Sequence, residues 1–488
     1  MGCDDPKADN YYYKDSEVDE NDRGTIYNDG SCIYKGCTNI DSSNYIPYAN
    51  VDDGSCKHVS YSSKRDFLLL NKKKQIKCCL DKQTSVEEQI NDICINNIQS
   101  FSLKTTGQDY FGGSVDMSTD GNIIVVGAPE FDDSSQSEYA RVYEWNGGYW
   151  KNRGSYLAGN RSSDDPNSQF GSSVAINGDG SIVAVGAHLD GTTNKGSVFI
   201  FKLNEVNSYT QITSYSGEND NDEFGRSIAL SKTNQDTDTY LIVGAWKAGT
   251  NDSGIVYIYK IDANQNIIAT IPCPDTSSAM GFGRSVSVNN DGTVFAIGAP
   301  NTNGVGFVEV YFRTDETFGQ IGPIIQGTGE QDYFGMVISL SGNGYTIAIS
   351  AHLDDDNGSN SGTCKVYTWI NNSWVQKGNL IKGTGSNNQF SRSLVISDDG
   401  NYLLIGAPLQ TDKRGVVKLF YYNYTTDTWD MIKEILGEST NDEFGHALTM
   451  NSDASKFAIT SIKYNENRGL VNIYHADIGI CNEENEQM

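Results

Sequence analysis

Apolar residues in this chain arrive in short bursts with two rhythms. In Ser173-Val174-Ala175-Ile176 they alternate with smaller residues, whereas Ile182-Val183-Ala184-Val185 is an unbroken run. Between them Asn177-Gly178-Asp179-Gly180 supplies residues that tolerate positive φ. The pattern predicts a hairpin whose second strand is covered on both faces. A third predicted strand ends on an aromatic, in successive copies Tyr143, Phe201, Tyr259, Tyr311, Tyr367, Phe420 and Tyr474. A fourth is carried by stretches such as Tyr209–Ile212 and Gly322–Ile325.

The unit recurs seven times, about every 55 residues. Its starts are Phe111-Gly112, Phe170-Gly171, Phe224-Gly225, Phe282-Gly283, Phe334-Gly335, Phe390-Ser391 and Phe444-Gly445. Its stops are Gly127-Ala128, Gly186-Ala187, Gly244-Ala245, Gly298-Ala299, Ser350-Ala351, Gly406-Ala407 and Thr460-Ser461. Start and stop lie 16 residues apart except in the third copy, where the gap is 20. That period fits a four-stranded blade and is too long for a β-helix coil. The expected fold is all-β: a seven-bladed β-propeller of four-stranded antiparallel blades over residues 96–476. The last copy runs out after its third strand, Leu470–Tyr474, and a spare segment, Ile98–Lys104, precedes the first. Pairing the two closes the ring and removes a bare edge. Asp477–Ile480 competes for that place and otherwise opens an acidic tail, 477–488.

These residues resemble the FG-GAP repeat family, whose best-known members are the integrin α-chain heads. Copies one, four and six keep the literal Gly-Ala-Pro, at Gly127–Pro129, Gly298–Pro300 and Gly406–Pro408. The resemblance implies a seven-bladed propeller that serves as an extracellular recognition surface. Integrin-type repeats carry a calcium loop of alternating Asp and Asn between start and stop, and here it has shrunk to a plain turn. Only the third copy, with Asn234, Asp236 and Asp238, keeps oxygen ligands at such spacing. Calcium needs six to eight oxygens, but no glycine follows Asp238 and a further acidic ligand before Gly244 is missing, so a solvated hairpin insertion is the plainer reading. No other cofactor is implied.

Residues 1–57 form a different, cysteine-marked module. Gly2-Cys3 and Gly36-Cys37 each precede Asn-Tyr, and both copies end in Asp-Gly-Ser-Cys, at Asp29–Cys32 and Asp53–Cys56. This resembles a short repeat of secreted surface proteins of marine bacteria and of some large DNA viruses. So small and polar a segment needs staples, for which Cys3–Cys32 and Cys37–Cys56 disulfides are the natural pairing. Zinc binding by the same cysteines wants closer pairs, and Met1-Gly2-Cys3 as a lipidation signal is poorly served by Asp5 and Pro6. Residues 58–95 read as a basic connector, with Lys72, Lys73 and Lys74. There Ser85 and Glu88 form a capping box ahead of Ile90, Ile93 and Ile98, predicting a short helix. The pairing of Cys78, Cys79, Cys94, Cys273, Cys364 and Cys481 does not follow from sequence.

Charge narrows the partners. With 63 acidic against 36 basic residues and a net charge of −27, nucleic acid is excluded as a partner. No apolar run approaches the ~20 residues of a membrane span. Met1 leads straight into Gly2-Cys3-Asp4-Asp5 without a signal peptide, so an oxidised module calls for a trimmed product or another route, such as packaging in a virion. Asn160, Asn251, Asn357, Asn371 and Asn423 open glycosylation sequons. The expected setting is extracellular, on a cell surface or on a virion surface.

On one face of such a ring the loops between strands 2 and 3 join those between strands 4 and 1. They gather the candidate ligand residues Glu130, Asp132, Asp133, His188, Asp190, Asp222, His352, Asp354, Asp355 and Asp356. Asp109, Asp222, Asp332 and Asp442 recur two before the Phe, where an Asx turn is the plainer explanation. His188-Leu189-Asp190 and His352-Leu353-Asp354 occupy one blade position, in which acid-base chemistry and simple repeat descent are both open readings. Arg226, Arg284, Arg392 and His446 share the position two after the Phe, suited to an anion clamp or to packing between blades. The leading expectation is a noncatalytic recognition or adhesion protein that binds a protein or glycan. A structural component of a virion or matrix and a polysaccharide hydrolase or lyase are the alternatives.

Overall fold

The computed structural model describes residues 93–480, apart from 106, 131–137, 160–166, 234–237, 262–266, 274–279, 302–303 and 315–316, together with the backbone of 35–36 and 51–52. The chain divides into two compact units, Met1–Gln89 and Ile90–Met488. In the first, Lys35–Gly36 pairs in parallel with Val51–Asp52. Cys3, Cys32, Cys37, Cys56 and the Ser85–Glu88 capping box lie outside the described residues.

The second unit is a ring of seven antiparallel blades. Blade 2 shows the plan: Phe170–Ile176, Ile182–Ala187, Ser197–Leu203 and Tyr209–Ser216 pair in sequence order. The second strands Ile123–Ala128, Ile182–Ala187, Thr239–Ala245, Val294–Ala299 and Thr346–Ala351 are buried along their whole length. This is why they read as runs without alternation: each lies between two neighbouring blades. The core is accordingly a series of layers between blades, such as Val125 and Val142 of blade 1 against Val174, Val185 and Phe199 of blade 2. First strands touch their neighbours in an unbroken cycle, with Phe444–Met450 of blade 7 meeting Ser114–Met117 of blade 1.

Ile93–Lys104 closes the ring. It pairs antiparallel with Leu470–Ile480, Lys104 opposite Leu470 and Ile93 opposite Ile480, and Ser102 Oγ donates to Asn472 Oδ1 at 2.7 Å. The segment before the first blade therefore supplies the outer strand, and Asp477–Ile480 prolongs the third one. The predicted helix does not reach Ile93 and Ile98, which both lie in this strand. A bulge between Ile95 and Asn97 inserts a residue, so Ile95 and Ile98 meet the same cluster at a spacing that imitates a helix. The fourth strand of blade 4 also departs from expectation. It is broken into Thr317–Gln320 and Ile325–Glu330, with Gly322 at φ 69° in the gap beside Pro323, which has no N–H for a ladder.

The Phe-Gly starts have a conformational cause. Every one of the seven Phe side chains is at most 2% exposed, and each sits between two residues of positive φ, as Tyr110 and Gly112 do around Phe111. In five blades a serine three after the Phe crosses to the next blade. Ser114, Ser173, Ser227, Ser285 and Ser393 donate Oγ to the carbonyls of Gly171, Gly225, Gly283, Gly335 and Gly445 at 2.6–2.8 Å. The stop glycine leaves room for that approach: a Cβ on Gly127 would lie 2.0 Å from the Gly171 oxygen. Blades 5 and 7 have Val337 and Ala447 in place of the serine. Their stop glycine is replaced by Ser350 and Thr460, whose hydroxyls accept the Val337 amide at 2.9 Å and the Ala447 amide at 3.0 Å.

Candidate functional site at the loop mouth of the ring

The two ends of the central channel are built differently. At one end the turns between strands 1 and 2 form a belt of main-chain hydrogen bonds. Gly178 donates to Thr233, Thr119 to Gly178, Ser452 to Thr119, Asp398 to Ser452, Gly342 to Asp398, and Asn290 to Gly342. Inside the belt, Lys232 Nζ lies 3.0 and 2.9 Å from the two Asp116 carboxylate oxygens. It also donates to the Met117 and Ile176 carbonyls at 3.0 and 2.9 Å. The remaining lone pairs of Asp116 accept the Ile176 amide at 2.9 Å and Thr449 Oγ1 at 3.4 Å. This end is a floor.

The opposite end is a mouth ringed by loops. In blades 2, 5 and 6 the loop between strands 2 and 3 is zipped to the chain that enters the next blade: Asn221, Glu223 and Phe224 donate to Thr193, Asn194 and Lys195, Asn387, Gln389 and Phe390 to Ser359, Asn360 and Ser361, and Asn441, Glu443 and Phe444 to Asp412, Lys413 and Arg414. Runs of left-handed residues shape the rim, Thr411-Asp412-Lys413 at φ 57, 55 and 61° and Asn465-Glu466-Asn467 at 47, 62 and 67°. For a β-branched residue such as Thr411 that conformation costs on the order of 1 kcal/mol or more. A cleft of about 610 Å³ opens on the rim between Ser439–Asp442 and Lys463–Asn467.

At the mouth, the position two after each Phe is occupied in blade order by Gly113, Ser172, Arg226, Arg284, Met336, Arg392 and His446. Arg226 and Arg392 belong to blades on opposite sides of the ring, yet the charge of Arg392 bears on Arg226, and both bear on Arg284. Side chains so placed feel one another only by converging on the axis. Burial is the main cause that lowers the pKa of all three; repulsion between them adds to it for Arg226 and Arg284, and attraction by Glu223 for those two and by Glu443 for Arg392 opposes it. Among the described residues none of the three guanidinium groups has a hydrogen-bond or carboxylate partner, although Arg284 lies 5.6 Å from the centre of the Trp246 ring. The nearest acids are engaged elsewhere. Glu223 accepts from Lys247 Nζ at 2.6 Å and Trp246 Nε1 at 2.8 Å, and Glu443 pairs with Lys463 at 2.7 Å.

Three histidines complete the mouth. His188 Nδ1 lies 2.8 Å from Ser172 Oγ, His352 stands edge-on to Tyr333 with ring centres 5.6 Å apart, and His352 Nδ1 is buried without a hydrogen-bond partner. Burial first, and then the nearby arginine charges, push His188, His352 and His446 down to about 3. They are neutral at physiological pH.

Of the acidic residues read from sequence, Glu130, Asp355 and Asp356 are exposed and Asp190 is half-buried. Asp356 pairs with Lys382 at 3.3 Å, and Asp355 accepts the Asn360 amide at 2.7 Å. Asp222 and Asp354 are buried, their carboxylates accepting the Asn219 and Asp356 amides at 2.8 Å. Asp109 and Asp442 do the same for Phe111 at 3.2 Å and Ser439 at 3.1 Å. Asp132, Asp133, Asn234 and Asp236 lie outside the described residues, and Asp238 is paired with Lys260 at 2.8 Å. Sequence reading had grouped the arginines but not the floor, whose belt is made of main-chain atoms. Lys232 left no motif by which to find it.

A family model of the FG-GAP repeat matches residues 159–201, 210–259 and 326–367. Each match ends on the aromatic of a third strand, Phe201, Tyr259 or Tyr367. No curated protein matches the chain. Among the described residues no helix is long and apolar enough to cross a membrane.

Proposed function

This chain is a seven-bladed FG-GAP repeat β-propeller protein, and from that premise we propose that it is a noncatalytic recognition or adhesion protein. It works outside the cell or on a particle surface and binds a protein or glycan through the loop mouth. The observation that carries this reading is the construction of the rim. Its loops are locked to one another by main-chain hydrogen bonds and hold left-handed runs on a rigid ring, and a scaffold that fixes loops against their conformational cost is a recognition surface. The histidines argue against turnover. At a pKa of about 3 they take up little charge near neutrality, and among the described residues His188 bonds Ser172 with no carboxylate to orient it.

A binding screen on glycan and protein arrays tests the proposal, with and without EDTA. Retained binding that is weakened by Asp355→Lys with Asp356→Lys supports it. Polysaccharide turnover that disappears in His188→Ala or His352→Ala overturns the noncatalytic part, and binding indifferent to every rim substitution removes the mouth as the site.

A further inference from the structure

The mouth holds a contradiction in charge. The protein carries a net charge of −27, yet three guanidinium groups converge on the axis of its ring. Glu223 attracts Arg226 and Arg284, and Glu443 attracts Arg392, but each carboxylate is shared with its own lysine, Lys247 or Lys463, so the three arginines keep excess positive charge. The histidines around them are neutral and offer ring N–H groups without adding charge. The opposite end is narrowed by its belt and by the Asp116–Lys232 pair. The result is a well at the mouth with positive charge inside and carboxylates such as Glu130 and Asp355 exposed around it.

We propose that this well is an anion-binding site, which takes a single small oxyanion group of the carboxylate or sulfate kind between Arg226, Arg284 and Arg392. Guanidinium forks match the paired oxygens of such groups and bind them with charge-assisted hydrogen bonds. The three are set on rigid first strands, so little ordering is required when the anion enters. The acidic rim sets the size of the ligand: a polyanion meets repulsion before it reaches the arginines, whereas one isolated anionic group passes. Ring position supports the assignment as well. Met336 occupies the same place in blade 5, so the fold does not demand arginine there. The site goes beyond the recognition reading, since a free anion can fill the well whether or not the rim meets a partner.

Thermal unfolding of the full chain in chloride buffer tests this, with sodium sulfate, sodium acetate or a polysulfated oligosaccharide titrated at millimolar levels and matched ionic strength. Sulfate or acetate raises the midpoint saturably, and the polysulfated chain has the weaker effect. Arg284→Met raises the midpoint in chloride by relieving repulsion and weakens the anion response at least about tenfold. Arg392→Lys keeps the charge and lowers affinity less. An absent or non-saturating response overturns the site, as does a response that survives Arg284→Met. So does a fall of the Arg284→Met midpoint in chloride together with an unchanged anion response. A polysulfated chain that binds better than sulfate would overturn the single-group assignment. None of these outcomes bears on binding at the rim, which the array screen reads separately.

Discussion

Lys232 at the floor and Arg284 at the mouth are both cations on the axis of one ring, and they have opposite surroundings. Lys232 has a carboxylate and two carbonyls within 3.0 Å, whereas the guanidinium of Arg284 lies over an indole ring, 5.6 Å from its centre. A satisfied cation is part of the structure, since removing its partner would strand it. An unsatisfied one is a reserve of binding capacity, maintained against repulsion from its neighbours. The same cyclic geometry thus builds a plug at one end and a receptacle at the other.

Substitution at the floor should do the most damage. Asp116→Ala leaves the Lys232 ammonium among carbonyls, and with side chains 23% and 22% exposed the loss is about 2 to 3 kcal/mol, read from chemical denaturation. A loss near zero would mean that the plug is ornamental and that the belt alone seals the floor. Acid should act chiefly at the mouth. His188, His352 and His446 titrate at about 3 in the folded chain, against about 6.5 when unfolded. Between those values the unfolded chain binds protons that the folded chain refuses. Stability is therefore full above about pH 6.5 and falls toward pH 3, by up to about 1.4 kcal/mol per pH unit for each histidine. Asp109, Asp398, Asp442 and Glu309, raised by burial, act in the opposite sense at the lower end of this range. Melting curves from pH 7.5 to 5 should show the decline, and His446→Gln should flatten it. A flat profile in the parent chain would contradict the burial of these rings. Smallest is the effect of Arg392→Gln in chloride, within about 0.5 kcal/mol and on the stabilising side. A loss of 2 kcal/mol there would erase the contrast with Lys232.

What was legible in the sequence was whatever side chains repeat. The Phe-Gly starts and small stops gave the number of blades, because φ > 0 and tight packing restrict residue choice at each copy. The spare N-terminal segment gave the closure, because an incomplete last copy has to be completed. The misreadings have local causes: Ile93 and Ile98, read as following the Ser85–Glu88 capping box, belong to the closing strand Ile93–Lys104, and Pro323 interrupts an outer strand that looks continuous. The exchange of Ser and Gly for Val337 with Ser350, or Ala447 with Thr460, was written in the sequence as well. It becomes intelligible only once the hydroxyl and amide are seen to meet. Asp222 and Asp354 illustrate the limit for the candidate site, since composition gives acid on a loop but not whether the carboxylate turns inward to a loop amide. Arg226, Arg284 and Arg392, by contrast, were legible as a group, because they share the position two after the Phe on the first strands, and what the sequence left open was whether they pack between blades or bear on one another across the ring.

Closure by Ile93–Lys104 also sets a timetable for synthesis. Ser102 meets a partner 370 residues downstream, so the earliest strand of the ring waits beside the ribosome until the final one emerges. Throughout that interval the nascent chain has two open edges, each a template for unwanted pairing. Ring completion therefore depends on the very last strand, because a chain that lacks residues from Leu470 onward leaves Ile93–Lys104 without the partner it pairs with.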